Sequence, residues 1–143
     1  MIGDAKNLQY WEYKKGELQK TFTSDFESIH DISRVIISGT QEKASVFLAT
    51  GSQIRGFTKK GKDFFKLDTS HTDSIVHLHV QQQELWSTGK HTLNCYMSTA
   101  SKIFDKYFYL AEDIINHMMV ATIHGDTASA IIAVQDKIRT IDS

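Results

Sequence analysis

A repeated hairpin pattern constrains the fold of this chain more than any other feature. Four segments share an apolar residue, then a small residue or glycine, a polar turn, and two later apolar positions. They begin at Ile2, Leu48, Trp86 and Ile132, so successive starts are 46, 38 and 46 residues apart. Four-stranded propeller blades repeat at roughly this period of 40 to 50 residues. The segments read IGDAKNLQYW, LATGSQIRGF, WSTGKHTLNCY and IAVQDKIRTI.

Strand candidates fill the intervals between these hairpins. Apolar and polar residues alternate along most of the chain, and β-branched and aromatic residues are abundant. Outer strands are predicted at 18–22, 63–67 and 105–110, and more apolar inner strands at 32–37, 75–80 and 114–123. We therefore predict an all-β chain that forms part of a β-propeller, with WD40-like blades of four antiparallel strands.

The predicted blades do not complete a ring. We expect residues 1–143 to be a fragment of a single β-propeller domain, with about three blades' worth of strands. Closed propellers have roughly four to eight blades. The open edges would have to be covered by more of the same protein or by another subunit. The predicted blade limits are about 1–22 (partial), 32–67, 75–110 and 114–143 (partial).

Charge and composition limit the classes of partner. Sixteen Lys and Arg against seventeen Asp and Glu give a net charge of -1, so no overall field favours nucleic acid. The apolar runs 114–123 and 128–134 are shorter than the ~20 residues needed to cross a bilayer, so no direct membrane insertion is expected. The start lacks a secretory signal and Cys95 is the only cysteine, which favours a reducing compartment such as the cytosol.

A lysine-rich turn is the main candidate for a partner contact. Lys59, Lys60 and Lys62 flank Gly61 where the second strand of a hairpin leads into a predicted outer strand. The run 13–17, YKKGE, occupies the same place in the preceding blade, which favours a solvated turn that protects the blade edge. The alternative is a contact with phosphate or with an acidic partner. Both interpretations stay open.

The two tryptophans have different expected roles. Trp86 takes the first apolar position of its repeat, which predicts core packing between blades. Trp11 follows Tyr10 at the far end of the first hairpin. It is either half-packed or exposed at the rim, where aromatic residues favour contact with a partner. We therefore include Trp11 among the candidate partner-contact residues.

Three histidines raise the question of a metal site. His77 and His79 are two residues apart on a predicted strand and would share a face, with His71 a few residues before them. Zinc requires three or four ligands in set geometry, and neither a cysteine pair nor a histidine-bearing helix accompanies them. We predict ordinary hydrogen-bonded strand histidines, with a pH-sensitive group as the lesser alternative. No metal ligand is assigned.

No pattern in the sequence predicts an enzyme. Cys95 lies in a strand and is expected to pack as a small apolar group. The aspartates show no pair with the spacing of a general acid and base, and no glycine-rich loop precedes a helix. We predict no catalytic residue and no cofactor. The aspartates considered are Asp4, Asp113, Asp126 and Asp136.

A long stretch of the chain resembles a known family. Residues 52–75, SQIRGFTKKGKDFFKLDTSHTDSI, resemble part of the amino-terminal propeller of the seventh Bardet-Biedl syndrome protein family. Residues 2–17 resemble its preceding blade and residues 133–141 its following hairpin. The resemblance runs in register over essentially the whole chain, and the stretch IRGFTKKGK is its most specific part. Residues 81–105 depart from it most.

Membership in this family implies a non-enzymatic scaffold subunit of the BBSome, a coat-like complex that carries membrane proteins into and out of cilia. The resemblance implies other BBSome subunits as partners, above all the second Bardet-Biedl subunit. Membrane cargo and an Arf-like GTPase are implied as indirect partners. The implied locations are the cytoplasm, the cilium, and the region of the ciliary basal body and centrosome. No family motif identifies catalytic residues.

A second class of function stays open. The chain would then be a generic propeller module, unrelated to cilia, that binds peptides at an axial channel. Polar inner-strand residues such as Ser38, His77 or Asn116 would converge there. A propeller fold does not decide between these classes, because propellers carry many functions.

Overall fold

The described part of the chain consists of β-strands and their connections. The computed structural model describes residues 7–25, 31–39, 43–81, 83–98, 102–124, 127–134 and 137–142. Within these residues there are thirteen strands and no helix, and all paired strands are antiparallel. The prediction of an all-β chain with the unclosed sheets of a partial β-propeller is confirmed.

The strands form four sheets in which neighbours along the chain are neighbours in space. The sheet orders are β1-β2, β3-β4-β5-β6, β10-β9-β8-β7 and β11-β12-β13. The first is a hairpin, and each of the other three is a simple antiparallel meander, as propeller blades are. The strands are β1 (Asn7–Lys14), β2 (Glu17–Asp25), β3 (Ile32–Ser38), β4 (Ser45–Thr50), β5 (Gln53–Thr58), β6 (Asp63–Asp68), β7 (His77–Gln81), β8 (Glu84–Thr88), β9 (Thr92–Ser98), β10 (Ile103–Leu110), β11 (Ile115–His124), β12 (Thr127–Val134) and β13 (Lys137–Asp142).

The chain divides into two compact units. The first comprises residues 1–70 and contains strands β1 to β6, and the second comprises residues 71–143 and contains β7 to β13. Each unit has its own buried cluster of apolar side chains. That all four sheets belong to one propeller domain with the blade limits given above stays a prediction.

Three of the four repeated segments are hairpins at the predicted places. Thr50 pairs with Gln53 across the β4–β5 turn, and Gly51 between them has a φ of 59°, a conformation that glycine adopts without strain. Thr88 pairs with Leu93 across the β8–β9 turn, and β12 pairs with β13 in the same manner. The turn proposed for the first segment, residues 4–7, begins outside the described residues.

Burial is greatest in the middle strands of the four-stranded sheets. In the first unit Leu48 on β4 and Ile54 on β5 are completely buried. In the second unit Trp86 on β8 and Leu93 on β9 are completely buried, and they belong to a cluster that includes Ile132 on β12. The core role predicted for Trp86 is confirmed.

Two of the three predicted inner strands, β3 and β11, are less buried than their apolar composition suggests. Strand β3 lies at the edge of its sheet, and Ile37 on it is 63% exposed. Met119 on β11, also an edge strand, is 54% exposed. Apolar composition correctly predicted that these segments are strands, but the burial of their side chains depends on what covers each face of the sheet.

Among the described residues, no helix is long and apolar enough to cross a membrane.

Candidate protein-interaction site

The lysine-rich turn between β5 and β6 has a fixed backbone. Thr58 donates its N–H to the carbonyl of Lys62 at 2.9 Å, and Gly61 donates its N–H to the carbonyl of Thr58 at 2.9 Å. The Thr58 hydroxyl accepts a further bond from the N–H of Lys62 at 3.1 Å. These three hydrogen bonds hold both ends of the turn, so the starting points of its lysine side chains are defined by the fold.

Gly61 anchors this turn against another sheet. Its φ of 90° is in the region that glycine adopts without strain. A Cβ atom at this position would lie 3.0 Å from the ring of Phe22 on β2. The ring of Phe22 in turn stacks on Tyr10 of β1, with centroids 5.5 Å apart and planes 4° apart. The turn therefore packs against an aromatic pair. The short distance to Phe22 and the positive φ explain why glycine occupies position 61.

A recess lies beside the turn, and we call it the lysine pocket. It has a volume of about 490 Å³ and faces the end of β5 and the start of β4. Four of its lining residues are lysines and two carry hydroxyl groups. The lining residues are Lys43, Ala44, Ser45, Thr58, Lys59, Lys60 and Lys62. The three lysines identified from the sequence therefore lie in one pocket, together with a fourth.

Lys43 reaches the pocket from the loop between β3 and β4. Gly39 in the same loop has a φ of 99°, and a Cβ there would lie 2.6 Å from the carbonyl oxygen of Lys43. Such an approach requires glycine and holds the backbone of Lys43 close to the end of β3. Lys43 was not predicted from the sequence as a candidate contact residue. The position of β4 next to this turn could have been predicted, however. The β4–β5 register pairs Ser45 with Thr58 and so brings the start of β4 beside the turn.

One carboxylate lies close to the lysine pocket without lining it. Lys59 Nζ is 3.8 Å from Glu12 Oε1, and Lys14 Nζ is 2.6 Å from Glu12 Oε2. The hydrogen bond from Lys14, with the charge of Lys59 adding to it, holds the pKa of Glu12 below its ordinary value. Glu12 is therefore ionised at neutral pH and shared between two ammonium groups.

The related turn between β1 and β2 differs from the lysine-rich turn. It has only two residues, Lys15 and Gly16, with φ values of 51° and 78°. Positive φ at both central positions is the pattern of a type I′ hairpin. A Cβ at Gly16 would meet only the Tyr13 hydroxyl, 4.0 Å away. Recurrence of a Lys-Gly turn thus has a structural cause, while the recess and the packing on Phe22 belong to the β5–β6 turn.

Trp11 lies on β1 and is 37% exposed. Its Nε1–H donates to Gln9 Oε1 at 3.2 Å, and Lys20 Nζ lies 5.8 Å from the ring centroid. It lines a separate, largely apolar groove of about 300 Å³ together with residues such as Leu18 and Ile37. The structure therefore places Trp11 and the three lysines in the same unit but in different recesses. Whether any of the four contacts a partner stays a prediction.

Two of the three histidines lie within hydrogen-bonding distance of hydroxyl groups in their own unit, and the third lies on a strand. His71 is buried, with Nδ1 2.8 Å from Thr92 Oγ1 and Nε2 2.8 Å from Ser87 Oγ. His77 is buried, with Nδ1 2.8 Å from Thr88 Oγ1, and His79 is half-buried on the same strand. Among the described residues, no three histidine, cysteine or carboxylate groups come together as metal ligands would.

The remaining reactive groups are placed as structural residues. Cys95 is completely buried, and burial raises the pKa of its thiol to about 12. A thiol with this pKa carries almost no thiolate at neutral pH and is a poor nucleophile. Asp113 accepts a hydrogen bond from the N–H of Ile114 at 2.7 Å, as a residue in a connection between strands does. The other aspartates considered, Asp4, Asp126 and Asp136, lie outside the described residues.

The alternative function, a peptide-binding propeller module, predicted three polar residues at an axial channel. These residues are divided between the two units. Ser38 ends β3 in the first unit, whereas His77 and Asn116 are on β7 and β11 of the second unit. Within the second unit, the His77 and His117 rings meet edge to face with centroids 5.7 Å apart. The convergence of Ser38 with the other two stays a prediction.

Two four-stranded antiparallel meanders, each with a glycine in the turn between its middle strands, together with a three-stranded sheet and a hairpin, define a partial β-propeller with no closed ring in the described residues. Comparison with known proteins gives the particular family. The sequence model of the BBS7 beta-propeller matches residues 1–143, and the chain therefore belongs to this family. The mouse protein "BBSome complex member BBS7" is 32% identical over 144 aligned residues, which cover 96% of this chain and 19% of the mouse protein. The chain thus spans about a fifth of the length of this relative.

Proposed function

We propose that this chain is part of a non-enzymatic scaffold subunit of the BBSome and acts through contacts between proteins. The observation that carries the proposal is the match of the BBS7 beta-propeller family over all 143 residues. The mouse relative is itself named as a member of that complex. The burial of Cys95 and the hydrogen bonding of His71 and His77 support a structural use of these groups.

The proposal extends to partners and place. The direct partners would be other BBSome subunits, especially the second Bardet-Biedl subunit. Membrane cargo and an Arf-like GTPase would be reached indirectly, in the trafficking of ciliary membrane proteins. The protein would then be found in the cytoplasm, the cilium, and the region of the basal body and centrosome. Residues 1–143 would form one fragment of a single propeller domain, whose open sheet edges are covered in the whole protein or in the complex.

A pull-down from ciliated cells tests this function. The full-length gene product that contains this chain is tagged, and the proteins that purify with it are measured by mass spectrometry. We expect the other BBSome subunits in amounts comparable to the bait. Recovery of one unrelated protein or peptide in their place would favour the generic propeller module and contradict the scaffold function.

Two variants make this test specific for the propeller. Leu48→Asp places a carboxylate at a completely buried position of β4 and should remove the partners that depend on an intact first unit. Lys66→Glu changes an exposed residue of β6 and should leave their recovery unchanged. The amount of soluble bait is measured in parallel, so that partner recovery is compared per molecule of bait.

A further inference from the structure

We propose that the lysine pocket binds an acidic segment of a protein partner. This inference rests on the proposed function and deepens it, because a scaffold subunit acts through surfaces that hold other chains. Its occupant would be an extended peptide rich in Asp and Glu. The carboxylates of that peptide would approach the ammonium groups of the pocket, and its other polar groups would meet the two hydroxyls.

The charge of the lining supports an anionic occupant. Of the described residues that line the pocket, four carry an ammonium group and none carries a carboxylate. The chain as a whole has a net charge of -1, so this concentration of positive charge is local. Glu12 contacts Lys59 from the side of β1 and is already shared with Lys14. Local potentials of this kind raise the rate of association with oppositely charged partners.

The backbone of the β5–β6 turn is organised before a partner arrives. The turn that carries Lys59, Lys60 and Lys62 is held by three hydrogen bonds and by the contact of Gly61 with Phe22. On the opposite side, the backbone of Lys43 approaches Gly39 so closely that a Cβ at position 39 would clash with it. At the β5–β6 turn, binding would therefore order lysine side chains and not the turn itself, which lowers the entropic cost of association.

The depth of the pocket favours a peptide over a membrane surface. Lys60 and Lys62 are exposed, but the side chain of Lys59 is only 30% exposed, and Ser45 and Thr58 are half-buried. A flat bilayer would meet the two exposed ammonium groups, whereas a peptide side chain can enter the recess. Lysine also suits this occupant, because its ammonium group is a point charge on a flexible stem and adapts to carboxylates at several positions.

Fluorescence anisotropy with a labelled hexaglutamate peptide tests the inference on the full-length protein. We expect the triple variant Lys59→Glu, Lys60→Glu, Lys62→Glu to weaken peptide binding by at least about tenfold, since each reversal turns an attraction into a repulsion. Binding to the unaltered protein should weaken with added salt, because exposed charges are screened. Failure of the unaltered protein to bind the peptide at low salt would overturn the inference.

The matched control reverses three exposed lysines that do not line the pocket: Lys15→Glu, Lys66→Glu, Lys90→Glu. It changes the net charge equally and should alter peptide affinity by less than about twofold if only the pocket matters. An equal loss in both variants would mean a general charge effect and contradict the pocket. If the triple variant unfolds, the pair Lys60→Gln and Lys62→Gln replaces it, with a loss of at least about threefold expected.

Two further outcomes are decisive. Capture of vesicles containing anionic phospholipids, with no binding of hexaglutamate, would assign the pocket to a membrane and overturn the protein partner. The peptide is measured without other subunits, so its failure leaves the pull-down result standing. Conversely, a failed pull-down with preserved peptide binding would contradict BBSome membership and leave the pocket in place.

Discussion

The ammonium group of Lys59 lies 3.8 Å from Glu12 Oε1, and this contact joins the β5–β6 turn to strand β1 of a different sheet. Glu12 also accepts a hydrogen bond from Lys14, at 2.6 Å. The contact places a competing carboxylate at the side of the lysine pocket. An acidic partner would therefore share Lys59 with Glu12.

Replacement of Glu12 by Gln should strengthen the binding of hexaglutamate by about twofold, since an ion pair at 3.8 Å that is still partly open to solvent contributes little. The physical reason is that Lys59 loses the negative charge of Glu12 while the lysine pocket keeps its shape. Anisotropy titrations of both proteins measure the change. Glu17→Gln serves as the control, because Glu17 is an exposed residue at the start of β2. Weaker binding by Glu12→Gln than by the unaltered protein would contradict the role given to Glu12.

Gly61 and Gly16 form a matched pair for the turn geometry. Both have positive φ, but only at Gly61 does a new Cβ lie 3.0 Å from the Phe22 ring. We expect Gly61→Ala to lower the free energy of unfolding by about 2 kcal/mol and Gly16→Ala by about 1 kcal/mol. Urea unfolding of both variants gives the values. Equal losses would show that the contact with Phe22 does not hold the turn.

Leu48 should contribute far more to stability than an exposed residue of the same sheet. Leu48 is completely buried on β4, whereas Ile37 on β3 is 63% exposed. We expect Leu48→Ala to cost about 2 to 5 kcal/mol, because it leaves a cavity in the core. Ile37→Ala should cost less than about 1 kcal/mol. Denaturant midpoints of the two variants make the comparison, and a large loss for Ile37→Ala would mean that this edge strand is covered.

Stability of the second unit should depend on the protonation of His71. Burial lowers the pKa of His71, although the carboxylate of Asp73 opposes the shift. In the unfolded chain the same group takes up a proton near its ordinary pKa of about 6.5. Its contribution to stability is therefore fully present above about pH 6.5 and is lost as the pH falls through the lower pKa of the folded state.

Unfolding by urea at a series of pH values between 7.5 and 5 measures this dependence. His71→Gln should be less stable than the unaltered chain at neutral pH and should lose less stability on acidification. The control is His91→Gln, since His91 is exposed in the β8–β9 turn. An unchanged pH profile in His71→Gln would show that another group is responsible.

Cys95 should be unreactive while the second unit is folded. Its thiol is completely buried with a pKa of about 12, so little thiolate is present or accessible. In the 143-residue chain, which contains one cysteine, a thiol reagent such as DTNB should react only as fast as the unit opens. Rapid modification in the absence of denaturant, at the rate seen in urea, would contradict this burial.

The hairpins could be predicted because they depend on neighbours in sequence. The β4–β5 turn was recognisable from Gly51 between two alternating runs, and Gly51 has the positive φ that such a turn uses. The register from Thr50 and Gln53 then pairs Ser45 with Thr58 by simple counting. The part of the lysine pocket formed by Ser45 and Thr58 could therefore be predicted from the sequence.

Other features could not be predicted in this way. Glu12 lies in another sheet from Lys59, and no local pattern indicates that the two meet. Strand β3 lies at the edge of its sheet, as the innermost strand of a blade does, but its apolar composition did not show that Ile37 would be largely exposed. Alternation of period two shows which residues share a face of a strand, but not which face another sheet covers.

The sequence by itself determined the strands, the turns between them and the family, because turn chemistry, alternation and resemblance can be read along the chain. Tertiary structure alone decided that Lys43 joins Lys59, Lys60 and Lys62 in one recess, and that Trp11 faces a different one. The physical reason is that hairpin pairing depends on residues a few positions apart. Burial and the meeting of charges depend instead on how separate sheets pack against each other.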